Sequence, residues 1–152
     1  MAAASCSISA EGRVRSVKNR YLYRAKRKNW RELPKEKWWV EGYYAYMQPY
    51  HYIMPKENFD SWIEIDEKTL CACTGLKDKN GNLIWENDIM VAHLDDSFPE
   101  DATYTRVVLN NNGFCTKEQG SEDIQPLDKF DQEYFEVCGN IFDNSELLEV
   151  GE

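Results

Sequence analysis

The sequence is poor in the features that most often disclose an activity. It holds only two histidines, His51 and His93, and both fall in predicted strands beside apolar neighbours, where a packed or surface imidazole is the ordinary outcome. Nucleophile, base and orienter come together in no local pattern. Neighbouring carboxylates such as Glu64/Asp66 and Asp95/Asp96 are what twenty-seven acidic residues produce by chance. The expectation is therefore a protein that is not an enzyme. Its eight glycines never cluster at the opening of a helix, which excludes a phosphate-cradling loop. Apolar runs are too short for a membrane-spanning helix. Residues 1–10 lack the basic region and apolar core of a secretory signal, so a cytoplasmic location is expected.

Cysteine is equally uninformative about a staple. Cys6, Cys71, Cys73, Cys115 and Cys138 form an odd set without framework spacing, the signature of reduced thiols. Cys71-x-Cys73 would put both sulfurs on one face of a strand. The other candidate ligands, His51, His93, Cys115 and Cys138, stand at no zinc-site spacing from each other. No metal and no other cofactor is expected; buried cysteine serving as a small hydrophobe is the simpler account.

What the chain does have is charge of segregated sign, and aromatics. Residues 1–40 carry eleven Lys and Arg against three acids, whereas residues 41–152 carry seven against twenty-four. An acidic body of that size repels phosphate, because basic contacts supply most non-specific nucleic-acid affinity. Direct nucleic-acid binding is thus confined to one candidate, a basic arm over residues 13–31. Nine Tyr and five Trp are many for 152 residues, and they crowd into residues 38–52.

Helical periodicity is missing over any ten residues, while short β-branched and aromatic runs recur every 8 to 15 residues with turn chemistry between them. Strands are predicted at 21–25, 38–47, 51–54, 62–65, 70–74, 83–85, 89–94, 104–109 and 135–141. Residues 26–37 read as a loop broken by Pro34, and 128–133 as a polar connection. Asp78-Lys79-Asn80-Gly81 is the clearest turn: Gly81 suits a positive φ, and Asp78 can bond the turn's backbone. Asn144 is predicted to cap a short terminal helix, Ser145 to Glu149. Along 38–47, Trp38, Val40, Tyr44 and Tyr46 share one face, and Trp39, Tyr43 and Met47 the other.

Two blocks carry a resemblance. Thr74-Gly75-Leu76-Lys77-Asp78-Lys79-Asn80-Gly81 with Ile84-Trp85-Glu86-Asn87-Asp88-Ile89, and the closing Val137-Cys138-Gly139-Asn140-Ile141-Phe142-Asp143-Asn144-Ser145-Glu146-Leu147-Leu148, resemble the YopX family of bacteriophage and prophage proteins. Tyr23-Arg24-Ala25 and Trp39-Val40-Glu41-Gly42-Tyr43 are similar to that family's opening strands, so the likeness spans roughly Val17 to Leu148. Asn87 replaces the family's usual Gly, Ser145 replaces a common Pro, and Cys71 and Cys73 are not typical of it. The resemblance implies a phage or prophage protein inside a bacterial host cell. It also implies a mostly β fold: a small SH3-like β-barrel with additional N-terminal strands and a short C-terminal helix. Residues 1–16 then form a flexible extension and 17–152 the β domain, divisible into an N-terminal hairpin region 17–66 and a barrel 67–152.

The functional expectation is a non-enzymatic accessory protein that binds a host protein, in particular an inhibitor of a nucleic-acid-handling host or defence factor with a basic surface. Both faces of residues 38–47 are aromatic and one layer of core hides only one of them, so the other should meet a partner or a second copy. The partner-binding residues expected on this ground are Trp38, Trp39, Tyr43, Tyr44, Tyr46, Tyr50 and Tyr52. The acidic loop residues Asp95, Asp96, Glu100 and Asp101 are expected to steer a basic partner. The alternatives are a self-assembling homo-oligomeric module without a host target, and nucleic-acid contact through the basic arm.

Overall fold

The computed structural model describes residues 21–58, 60–93, 97 and 100–149; the predicted extension 1–16 and the acids Asp95 and Asp96 lie outside them. The chain divides into two units, Met1–Gly75 and Leu76–Glu152.

The described part of the first unit is an antiparallel sheet of β1 (Tyr23–Lys26), β2 (Trp39–Met47), β3 (Tyr50–Pro55), β4 (Ile63–Glu64) and β5 (Cys71–Lys77), in the order β4-β3-β2-β1-β5. β2 and β3 form a hairpin about the cis Gln48–Pro49 peptide, in register from Gly42↔Pro55 to Met47↔Tyr50. β1 pairs with β2 on one side and β5 on the other, Tyr23 standing between Gly42 and Ala72. One sheet face holds the core of Ala25, Val40, Ile53 and Ile65, with Tyr23 and Tyr44 packed against it. The alternation read from residues 38–47 is realised within β2, where Val40 and Tyr44 point to the core, but Trp38 precedes the strand in helical backbone and meets Lys26 together with Trp39. The predicted loop 26–37 is more ordered than expected. Lys26 completes β1, and 3₁₀ turns occupy Trp30–Glu32 and Lys35–Lys37. The backbone N–H of Lys37 donates to the carbonyl of Pro34, so the proline opens a turn rather than ending order.

β5 runs across the division, and β6 (Leu83–Trp85) is its neighbour. The second unit then builds an antiparallel sheet from β7 (Asp88–Ala92), β8 (Thr103–Asn110), β9 (Gly113–Glu118), β10 (Ile124–Pro126) and β11 (Glu136–Asn140), in the order β10-β9-β8-β7-β11. Its core is Ile84, Met90, Ala92, Val107 and Phe135. The turn before β6 has the predicted chemistry. Gly81 has φ +85°, and Asp78 Oδ1 accepts from the backbone N–H of Asn80 and of Asn82, each at 2.9 Å. Asp78 Oδ2 also accepts from Val137 N–H of β11 at 2.8 Å, so a residue of the first family-like block holds one of the second. Asn87 takes φ +71°, a backbone that asparagine tolerates better than most residues other than glycine.

Three expectations need correction. A helix α1 (Lys129–Tyr134) occupies the stretch read as a polar connection. Its capping box is Asp128 with Asp131, each accepting from the other's backbone N–H, and carboxylates in so acidic a chain do not stand out as caps. β10 had no sequence signal; its three residues Ile124–Pro126 are all exposed. The terminal helix is a 3₁₀ turn, Ser145–Leu148, and Asn144 does not cap it. Its Oδ1 accepts instead from Asn140 N–H at 3.2 Å. The chain is therefore mostly β, with two antiparallel sheets and one short α-helix. Each sheet begins and ends on different strands, and no pairing among the described residues joins those ends into a closed barrel.

Candidate functional site

The register of β1 to β4 decides which aromatics reach solvent. Alternation sends Trp39, Tyr43, Ala45 and Met47 to the face of β2 opposite the core, beside Tyr50, Tyr52 and Met54 of β3. Toward the hairpin end this outer face is open: Met47 is 58%, Tyr50 50% and Trp62 45% exposed. The rings are ordered by contact with each other, Tyr50 to Tyr52 with centroids 6.5 Å apart and Tyr52 to Trp62 at 5.7 Å. Rings already held by neighbours lose little rotamer freedom when a partner covers them.

The core face of the same hairpin carries a polar end. Tyr44 Oη lies 2.6 Å from His51 Nδ1, and Tyr46 packs on the same imidazole with centroids 4.7 Å apart. Burial pushes the Tyr44 phenol above its ordinary value, with Tyr46, Glu67 and Tyr23 adding to the effect. The phenol therefore stays protonated at neutral pH and can donate to His51.

Trp38 and Trp39 have an internal role. The ammonium of Lys26 lies 3.8 Å from the ring centre of Trp30, 4.3 Å from that of Trp38 and 5.6 Å from that of Trp39. Lys26 is only 2% exposed, and indole faces are the best π partners for a desolvated cation. The Trp38 indole N–H donates to Leu33 O at 2.8 Å, and that of Trp30 to Asp66 Oδ2 at 3.2 Å. Trp39 also faces the Arg24 guanidinium, 4.9 Å away. Neither Trp30 nor Trp62 was among the expected site residues. A basic residue four positions before a Trp was the available signal for Trp30, but nothing local shows that Trp62 will meet Tyr52.

The sequence-expected residues thus sort by place. Tyr43, Tyr50 and Tyr52 belong to the outer face; Tyr44 and Tyr46 meet at His51; Trp38 and Trp39 enclose Lys26. Glu100 and Asp101 are exposed in the second unit; Asp95 and Asp96 lie outside the described residues. Cys71 and Cys73 are both buried on β5, as alternation requires. Cys138 is at the surface, and burial of its sulfur, with Glu136 nearby, raises the thiol's pKa. Among the described residues, no three His, Cys, Asp or Glu are placed to hold a metal ion, and no helix is long and apolar enough to cross a membrane.

The model of a protein family, described as YopX protein, matches residues 15–149. No curated protein matches the chain.

Proposed function

The chain belongs to the YopX family, and from that premise we propose that it acts by binding, not catalysis, as a phage or prophage accessory protein whose target is a host protein with a basic surface. The observation that carries the reading is the outer face of β2 and β3, where Met47, Tyr50 and Trp62 stand open beside Tyr52. Large, pre-ordered amphipathic rings are what interface hot spots are made of. The acidic surface of residues 76–152, with Glu100 and Asp101 exposed upon it, supplies long-range steering toward a positive partner. A factor that handles nucleic acid has such a surface, which favours an inhibitor of one. An SH3-like curl of the second sheet, the finer form of the fold expectation, is compatible with this role but is not needed for it.

The test is affinity capture from infected host lysate at ~50 and ~200 mM salt, run in parallel with a Tyr50→Ser/Trp62→Ser variant and a Glu100→Gln/Asp101→Asn variant. A basic protein retained by the parent should be lost with the first variant, and with the second should lose its salt dependence. Light scattering decides the main alternative: self-association abolished by Tyr50→Ser/Trp62→Ser, with no protein captured, would assign the face to a second copy.

A further inference from the structure

The stretch between β1 and β2 concentrates positive charge in a chain whose net charge is −9. Residues 27–37 hold five Lys and Arg against two acids, Glu32 and Glu36. The backbone there is tied down. The N–H of Arg27 donates to Trp38 O at 2.8 Å, and that of Lys28 to Glu64 O at 3.0 Å. The Arg27 guanidinium donates to Lys37 O at 2.9 Å, which joins the start of the stretch to its end.

The cations on this platform are presented, not paired. Lys28, Arg31, Lys35 and Lys37 are exposed. Among the described residues, none of these four ion-pairs with a carboxylate. The Arg31 guanidinium lies 4.3 Å from the ring centre of Trp30, and the Lys35 ammonium 5.8 Å from that of Trp38. Ring contact restrains a long side chain before any partner arrives, and a stacked guanidinium keeps its in-plane N–H fork for an anion. Like charges gathered on one short segment repel each other, a cost that a bound polyanion removes. The indoles themselves are already engaged: Lys26 lies against Trp30 and Trp38, and both indole N–H groups donate within the first unit. What the segment offers a partner is therefore cations, not an aromatic anchor.

We infer that residues 27–37 contact the sugar–phosphate backbone of a nucleic-acid duplex without reading its sequence. Charge complementarity selects a polyanion, and the rest of the surface selects among polyanions. An acidic protein segment would need a buried apolar anchor for useful affinity, which these residues do not supply. A duplex needs none, because each phosphate neutralised releases counterions and adds affinity by itself. Single strands are held by bases stacked on open rings, and here the rings carry the chain's own cations. The inference goes beyond the aromatic-face reading and does not depend on it.

The experiment titrates the full chain into a short fluorescein-labelled DNA duplex of mixed sequence and follows anisotropy at ~50 and ~200 mM salt. With four phosphates neutralised, affinity should fall on the order of a hundredfold between the two. Arg31→Gln/Lys35→Gln should weaken binding at the lower salt by roughly a hundredfold and reduce the salt slope by about two. Glu32→Gln/Glu36→Gln should tighten binding about threefold, an effect that a damaged fold does not produce. Absence of binding at ~50 mM salt would overturn the proposal, as would a failure of the Glu variant to tighten it. Undiminished binding by Arg31→Gln/Lys35→Gln would place the contact elsewhere in the chain and overturn it too. So would poly-L-glutamate competing as well as unlabelled duplex at equal charge, which would assign the surface to an acidic protein, or a single strand binding more tightly than the duplex. Tyr50→Ser/Trp62→Ser should leave this titration unchanged, so failure here and failure of the aromatic-face reading are separate results.

Discussion

The two units solve the same problem with opposite materials. Residues 1–75 hold thirteen Lys and Arg against nine acids, with four of the five Trp and seven of the nine Tyr. Residues 76–152 hold five Lys and Arg against eighteen acids, with five of the six Phe. The first unit buries a cation, Lys26, and surrounds it with indole faces. The second buries carboxylates, Asp78, Asp88 and Asp131, and satisfies them with backbone N–H groups of turns and a cap. The difference teaches that a buried charge can be met by side-chain π density or by oriented peptide dipoles. Which is used dictates aromatic content: ring faces require Trp, whereas turn N–H groups require only the right backbone.

The largest expected effect reverses the sign of the first solution. Lys26→Glu places an anion against three π faces, and on the order of 3–5 kcal/mol should be lost in urea unfolding; a variant as stable as the parent would mean that the indoles merely pack. Next, Asp78→Ala removes the acceptor of three backbone N–H groups and should cost about 2–3 kcal/mol. Its effect should include loss of amide protection at Val137, fifty-nine residues away. A smaller effect, roughly 1–2 kcal/mol, is expected for Gly81→Val. A Cβ there meets nothing within 4 Å, so any loss isolates the backbone cost of φ +85°. The smallest concerns Asp131, whose carboxyl is pushed above its ordinary value of 3.8 by burial, despite the Asp128 N–H that lowers it. The folded chain therefore holds this proton more tightly than the unfolded chain does. Stability from this group falls as pH rises from about 3.8 through the higher folded value, and Asp131→Asn should gain on the parent over that window.

These contrasts were unevenly legible in the sequence. The hairpin turn at Gly81, the positive φ of Asn87 and the two faces of β2 follow from local rules, since each depends on a residue's own backbone or on a period of two. The Lys26 enclosure does not. Lys26 sits in a run of basic residues that reads as a solvated loop, and only the path of the chain through Trp30–Glu32 and Lys35–Lys37 brings Trp30 and Trp38 over its ammonium. Helix α1 was hidden because Asp128 and Asp131 look like more of the prevailing charge. The polar end of the second sheet's core face was hidden for a related reason. Thr105, Thr116 and Glu118 come from two strands, and their shared face depends on a register that no single segment specifies.

The strand order of the second sheet has a consequence for the chain as it is made. β7, whose five residues are all buried, lies between β8 and β11. Translation delivers β8 after a gap of ten residues, from Ala92 to Thr103, but the strand for β7's other edge ends only at Asn140. Until then a polypeptide leaving the ribosome presents Ile89, Met90 and Val91 along an unfilled hydrogen-bonding edge, an invitation to neighbouring chains. A premature stop before Glu136 would leave that edge open for good, so the truncated product should be recovered in aggregates, not as a slightly shorter protein.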